Sequence, residues 1–412
     1  MVFLGRNKEI QEFEERRADI DHGLKGLIAS SAFEGIGRKA YMRHVLVKDN
    51  LMSASLRPNI ISLERHQSIE DFILKIAELG YREISSVELV GLSMEVKIDT
   101  AVEIIKIVQE QHSFIFIEDD GVIVKPNQTL TEWFKNVLDR MTDGIVFCLA
   151  SSFSLPERRA GDNLFSIKIP ELSKLERSLL LADFSKNEGL DLSKEQLKLI
   201  ATNLSGYPEQ IFYVVQMIKD EGIERTLENL SEIRAYSDDR AELVLKKYVD
   251  TDEKVKFLAF ISAFDFLNMK LLDCVYREFS DYKKIMDTFL SVSICEFIGA
   301  NGEYIKVNDV LKDVVFRRRL SMGDRLHKLY ILVLDYVVNE EFIKKADLAE
   351  FYNVVQRKLE KECNNGRYDE KYIVPSQYLR CIIDQYNMGK YESAELLCKM
   401  LIENGRMSNF DR

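Results

Sequence analysis

The chain has 412 residues, 46% of them hydrophobic and 30% charged, with six prolines and a formal net charge of −11. That length exceeds one compact core and predicts roughly two to four domains, and so few prolines predict a mostly helical chain with few long loops. The acid excess argues against nucleic acid as the main partner, because phosphate neutralisation supplies most non-specific affinity.

In chain order, the first part alternates apolar runs with helical patterns, the signature of a parallel sheet flanked by helices. Leu27-Ile28-Ala29 reads as a strand leading into the loop Ala32-Phe33-Glu34-Gly35-Ile36-Gly37-Arg38-Lys39, with Ala40 in the helix that follows. Asn59 to Leu63 reads as the next strand, followed by a helix with Ile69, Phe72, Ile73, Ile76 and Leu79 on one face. Ser113 to Ile117 suits a strand covered on both faces, closed by Glu118, Asp119 and Asp120. An amphipathic helix through Leu130, Phe134 and Leu138 precedes a further strand, Gly144 to Ala150, with Ser151 and Ser152 at its carboxyl end.

Past about residue 170 the strands give way to helices. Ser173-Lys174-Leu175-Glu176 and Ser193-Lys194-Glu195-Gln196 fit the capping-box pattern and mark two helix starts. Residues 253 to 320 read as three helices and a hairpin, Ile294–Ile298 with Glu303–Val307, the order of a winged helix. The remainder reads as helical, and Tyr386 to Gly405 has the spacing of one helical-repeat unit. The expected domains are 1–168, 169–248, 249–325 and 326–412, an α/β parallel-sheet domain followed by a small helical domain, a winged helix and the start of TPR-like repeats.

Measured against GxxxxGK[ST], the loop keeps glycines 35 and 37, which let backbone N–H groups meet phosphate oxygens at a helix N-terminus. Arg38 stands at the lysine position, Lys39 at the Mg²⁺-binding hydroxyl and Ala32 at the leading glycine. Phosphate charge can be met by such a loop, but a metal ion loses one of its ligands. Asp119 is the candidate metal ligand and, with Asp120, the candidate catalytic pair, against the alternative of a solvated acidic turn. Ser151 and Ser152 read equally as γ-phosphate ligands and as turn caps.

The six cysteines, Cys148, Cys274, Cys295, Cys363, Cys381 and Cys398, lack CxxC pairing and read as buried thiols. His22, His44, His66, His112 and His327 make no metal spacing and read as structural, and Arg317-Arg318-Arg319 reads as a solvated helix end or an interface pairing. No stretch is apolar enough to cross a bilayer and the N-terminus lacks a signal-peptide plan, so the expected location is cytoplasmic, without membrane contact.

Taken together, these segments resemble the STAND or NB-ARC family of signalling P-loop NTPases. Phe3-Leu4-Gly5-Arg6-Asn7-Lys8-Glu9 looks like the family's opening motif, whose backbone borders the adenine; Phe33 to Lys39 falls at the phosphate loop and Phe114 to Asp120 at the Walker B strand. Ala150-Ser151-Ser152 falls at the sensor, with Phe153 in place of its usual arginine. Gly206-Tyr207-Pro208 matches the GxP turn whose proline packs on the base, and Val307-Asn308-Asp309 resembles the Met-His-Asp motif. The resemblance implies nucleotide contacts from Gly5, Arg6, Gly35, Ile36, Gly37, Arg38, Lys39, Ala40, Ser151, Ser152, Pro208 and Asn308. ATP or ADP is the implied cofactor, Mg²⁺ is compromised by the missing hydroxyl, and an empty site stays open.

The loop looks most like that of a bacterial subgroup often fused to an N-terminal TIR effector and C-terminal helical repeats. The resemblance therefore implies the core of a receptor in antiphage or stress signalling, which controls an attached effector and forms a homo-oligomer when activated, with little or no hydrolysis. An active ATPase of the same fold and a winged-helix transcription regulator are the rival readings.

Overall fold

The computed structural model describes residues 3–18, 23–142, 144–298, 302, 304–317 and 324–339, with Tyr391, Glu395 and Lys399. It divides into two compact units: residues 1–269 with 279–320, and residues 270–278 with 321–412. Helices of eight residues or more are labelled here in chain order.

The first unit begins with α1 (Asn7–Ala18), β1 (Gly26–Ser30), α2 (Arg38–Lys48), β2 (Asn59–Leu63), α3 (Ile69–Ile76) and α4 (Met94–Glu110). β3 (Ile115–Asp119), α5 (Glu132–Arg140), β4 (Phe147–Ser151) and β5 (Leu164–Lys168) follow. The strands form one parallel sheet in the order β2-β3-β4-β1-β5. Every residue of β1 and β4 is buried, as expected of apolar strands covered by helices on both faces.

This is the α/β parallel-sheet arrangement of a P-loop NTPase, with the glycine loop at the carboxyl end of β1, an inner strand whose two neighbours come later in the chain. Crevices at such points are where open α/β sheets bind ligands.

The strands at 115–119 and 147–151 begin two and three residues later than the hydrophobic runs predict and end two and one later, so Glu118, Asp119 and Ser151 belong to strands. β5 and α4 were not expected. β5 is a short run with two polar positions, Ser166 and Lys168. α4 buries Ile98, Ala101, Val102, Ile105 and Val108 at helical spacing.

The rest of the unit is largely helical: α6 (Lys174–Asn187), α7 (Lys194–Asn203), α8 (Pro208–Glu221), α9 (Leu230–Tyr248) and α10 (Asp252–Ser262). Both predicted capping boxes form. Glu176 N–H donates to Ser173 Oγ at 3.3 Å and Gln196 N–H to Ser193 Oγ at 3.2 Å, satisfying donors that a helix start leaves free. A core of Leu180, Leu181, Ile200, Ile211, Val214 and Ile233 joins these helices.

β6 (Leu267–Asn268) precedes α11 (Met269–Glu278), and α12 (Asp281–Ser291) leads to β7 (Cys295–Ile298) and β8 (Tyr304–Val307). β7 and β8 pair antiparallel where the hairpin is expected, in a three-stranded sheet ordered β6-β8-β7, and α13 (Asp309–Arg317) packs on α9 and α10.

The second unit holds all of α11 after Met269, and α14 (Asp324–Asn339), whose Leu326, Leu329, Tyr330, Val333 and Leu334 are buried. The predicted repeat at Tyr386 to Gly405 lies outside the described residues except at three isolated positions; His22, Cys363, Cys381, Cys398, Arg318 and Arg319 lie outside them as well. Cys148 and Cys295 are buried and Cys274 half-buried, all three as free thiols. No helix among the described residues is long and apolar enough to cross a membrane.

Candidate functional site

The loop from Ser31 to Gly37 is shaped by its glycines and anchored by its apolar side chains. Gly35 and Gly37 have φ of +75° and +96°, a region that costs a side-chain-bearing residue energy, and Phe33 and Ile36 are buried beneath them. The N–H groups of Gly35, Gly37 and Arg38 find no protein acceptor among the described residues, which leaves them available to an anion at the start of α2.

Arg6 braces this loop from below. Its backbone has φ of +60°, its N–H donates to Glu176 Oε1 at 2.7 Å, and its guanidinium donates to the carbonyls of Pro170, at 2.7 Å, and Ile36. Burial pulls the guanidinium down to about 10 although Glu9 and Glu176 support its charge. At Gly5, φ is +81° and a Cβ would meet Glu176 Oε1 at 2.8 Å, so the opening motif needs its glycine to reach the capping box of α6. Gly5 and Arg6 therefore hold the loop and α6 together.

A cavity of about 1090 Å³ opens over the loop. One end is apolar, with Leu4, Val47, Leu172, Leu180 and Phe212, and Phe3 stacks on His44 with ring centroids 4.3 Å apart. Burial and the neighbouring Lys48 hold the His44 imidazole below its ordinary range, against the pull of Glu14. His44, read from sequence as structural, thus lines the cavity. Pro208, first residue of α8, lies against Gly37, where a Cβ would stand 3.7 Å from its Cγ, and Ala40 also lines the cavity.

The charged end is already internally paired. Arg38 Nη1 donates to the carbonyls of Ser31 (2.7 Å), Ser151 (2.8 Å) and Ala150 (3.3 Å), where β1 and β4 end, and burial lowers its pKa. Lys39 pairs with Glu118, which also accepts from Ser62 Oγ at 2.6 Å. Burial opposes the Glu118 charge, but those two hydrogen bonds carry its pKa below the ordinary carboxylate range. Glu209, the residue after Pro208, sets its carboxylate where a Cβ on Gly35 would point. Arg240 holds Glu209 and Glu34 at 3.1 Å each. Glu209 and Arg240 carried no signal in the sequence, because the loop residues they meet, Gly35 and Glu34, are 174 and 206 residues away.

Asp119 departs from the metal-ligand expectation. Oδ1 accepts from the N–H groups of Val122 (2.9 Å) and Ile123 (2.8 Å); Oδ2 accepts from Val124 N–H and Ser151 Oγ, both at 3.0 Å. Its two oxygens are taken by three N–H groups of the turn and by Ser151 at the end of β4, and burial raises its pKa despite these bonds. Ser151 is fully buried in that network, whereas Ser152 reaches the cavity wall. Asp120 is engaged by Lys247 at 2.8 Å and Arg65 at 3.4 Å. The Arg65 guanidinium rests over the rings of Phe153 and Tyr248, 5.4 and 5.2 Å from their centroids.

Asn308 departs as well. It does not line the cavity; its Oδ1 accepts from Val310 N–H (3.2 Å) and Leu311 N–H (3.4 Å), capping α13, and it lies beside the buried hydroxyl of Tyr207. The segment before it does reach the loop: Ala32 N–H donates to Val292 O (3.2 Å), Ser154 N–H to Ser291 O (2.7 Å) and Lys168 Nζ to Leu290 O (2.7 Å).

The residues fit a nucleotide's base and offer free amides to its phosphates. They do not fit Mg²⁺: the loop hydroxyl is absent, Asp119 is saturated, and no group of metal-ligating side chains occurs among the described residues.

No family model matches the chain, and no curated protein matches it. Similar solved structures include the Walker-type ATPase PABY2304 of Pyrococcus abyssi, at 12% identity and TM-score 0.47, covering 76% of this chain and 96% of that one. The Aeropyrum pernix ORC2 protein in its ADPNP–ADP complexes is similar at 11% identity and TM-score 0.45, covering 87% of this chain and 96% of that one. Cdc6p of Pyrobaculum aerophilum is similar at 12% identity and TM-score 0.36, with 76% and 93% covered.

Proposed function

We propose that this chain is the regulatory core of a STAND-type receptor, in which a P-loop fold binds nucleotide without appreciable hydrolysis. The single observation that carries the reading is the commitment of Arg38, Lys39 and Asp119 to protein partners. In-line phosphoryl transfer needs cations free to meet the γ-phosphate and a metal bridging it, and this site supplies neither. The apolar end with the Phe3–His44 stack supports retention of an adenine nucleotide as a bound ligand, ATP or ADP.

Domains at 1–168, 169–248 and 249–325 act in this reading as nucleotide domain, small helical domain and winged helix. The last is supported by the order α10, β6, α11, α12, β7, β8. The bonds from Ala32 and Ser154 to the end of α12 support a resting state with that segment docked on the loop. Ligand or partner binding shifts the population away from it only as far as affinities for the two states differ. The partners in this reading are an attached N-terminal effector, sensing repeats from 326 onward, and further copies of the chain on activation, in the cytoplasm.

The test is equilibrium binding of a fluorescent ADP analogue with and without Mg²⁺, together with steady-state turnover at saturating ATP and Mg²⁺. Binding indifferent to Mg²⁺ and turnover at background are expected; turnover in the range of ordinary P-loop ATPases overturns the reading.

A further inference from the structure

A second cavity, of about 1170 Å³, lies away from the glycine loop and exceeds the usual size of a small-molecule site. One wall is a single stripe of α7: Lys194, Leu197, Lys198, Ala201 and Thr202, at i, i+3, i+4, i+7 and i+8. Its apolar members, Leu197 and Ala201, are half-buried against the core of this helical region and lie beside Lys194 and Lys198, and the stripe runs for about 12 Å at 1.5 Å per residue. The facing wall is α6, through Lys174, Arg177, Ser178 and Leu179. Leu179 is 53% exposed and Leu175, one turn earlier on the same helix, is 69% exposed. Ser205, Gly206 and Ser237 also line the groove.

Charge selects the occupant. Lys174, Lys194 and Lys198 make no side-chain hydrogen bond or ion pair among the described residues. Of the lining aspartates, Asp265 and Asp309 are matched by Lys312 and Lys306, and Asp238 has a partner as well. At the base of the groove, Arg177 Nε and Glu171 Oε1 are buried and lack a partner among the described residues, while Arg177 Nη1 donates to Leu204 O. In a chain of net charge −11, these three lysines are a local concentration of cations without partners among the described residues, beside the exposed Leu179. Apolar side chains between the lysines suit a helix with one leucine-rich face better than a nucleic acid, which would stack on aromatic rings.

We propose that the groove between α6 and α7 is a docking site for an acidic amphipathic helix of a partner protein. Leucines of the partner pack on Leu179, Leu197 and Ala201, and its carboxylates meet Lys174, Lys194 and Lys198. The site is independent of the nucleotide cavity and needs no nucleotide.

The test uses the full chain and a fluorescein-labelled peptide of about 18 residues, long enough to hold a helix, with leucines at i, i+3, i+4 and i+7 and glutamates elsewhere. Fluorescence anisotropy should show saturable binding, weakened about tenfold or more by Lys194→Glu/Lys198→Glu. Ala201→Trp, which fills the groove without changing charge, should weaken it by about tenfold as well. A peptide of the same composition in scrambled order and a single-stranded DNA oligonucleotide should bind at least about tenfold more weakly than the ordered peptide. The proposal is overturned if the ordered peptide fails to bind, if both variants bind it as tightly as the parent chain, or if the scrambled peptide or the oligonucleotide binds equally well.

Discussion

Ser151 Oγ donates a hydrogen bond to Asp119 Oδ2 at 3.0 Å, from the end of one inner strand to the end of its neighbour. The other three bonds to that carboxylate come from successive N–H groups of the turn after β3. An acid in this position works as a staple.

Asp119→Ala strands three buried N–H donors and should cost about 3 kcal/mol or more, read as a lowered unfolding temperature. Asp119→Asn keeps one acceptor oxygen and should cost less. ATP turnover should stay at background in both, and a parent rate that falls with either substitution would assign Asp119 to chemistry instead.

Restoring the loop's missing chemistry should restore metal dependence and nothing further. In Arg38→Lys/Lys39→Thr, the new hydroxyl can ligand Mg²⁺, so affinity for a fluorescent ADP analogue should become Mg²⁺-dependent by about tenfold. Loss of the Arg38 bonds to three carbonyls should destabilise the chain by about 1–3 kcal/mol. Turnover should remain at background, since Asp119 is still saturated; calorimetry and a phosphate-release assay check the two halves.

Gly206→Ala should be severe. A Cβ there would lie 2.4 Å from Glu171 Cβ and 2.9 Å from Leu172 N, whose N–H donates to Gly206 O at 2.9 Å, so backbone has to move. A loss of about 2–3 kcal/mol is expected. Adding Glu171→Gly should recover part of it by removing one of the colliding atoms, a non-additivity that thermal unfolding of the four-member cycle measures.

Stability should fall as pH rises through neutrality. Burial, with Asp309 and Glu296 close by, pushes the Glu171 carboxyl up to about 7 against the opposing pull of Lys306 and Arg177. Its unfolded value is near that of an ordinary glutamate, so its contribution is full below about 4.5 and is lost as pH passes through the folded value. Between pH 5 and 8 the loss should be on the order of 2–3 kcal/mol, and Glu171→Gln should flatten the curve. Denaturant unfolding across that range would contradict this if the parent and the variant ran parallel.

The parallel sheet was legible because β1, β3 and β4 are apolar runs with few competing readings, and both capping boxes were legible because they are local. β5 and α4 were not read, although the apolar spacing of α4 was there to be found. The side-chain commitments at the site could not be read at all. Whether Arg38 faces a ligand or the carbonyls of Ala150 and Ser151 depends on a strand more than a hundred residues away. The same is true of Glu209, whose position over Gly35 depends on where α8 starts in space. Asn308 was correctly a helix-start residue, but its place away from the cavity could not be inferred from its motif.

The contacts that fasten Ala32 to Val292 and Ser154 to Ser291 are made by main-chain atoms on both sides. Exchange of one side chain for another leaves those donors and acceptors in place; only proline at 32 or 154 deletes a donor. Relatives could therefore drift far apart at these four positions while keeping the same seam, and a search for covarying pairs would pass over it. Its history would be written in insertions, deletions and prolines instead.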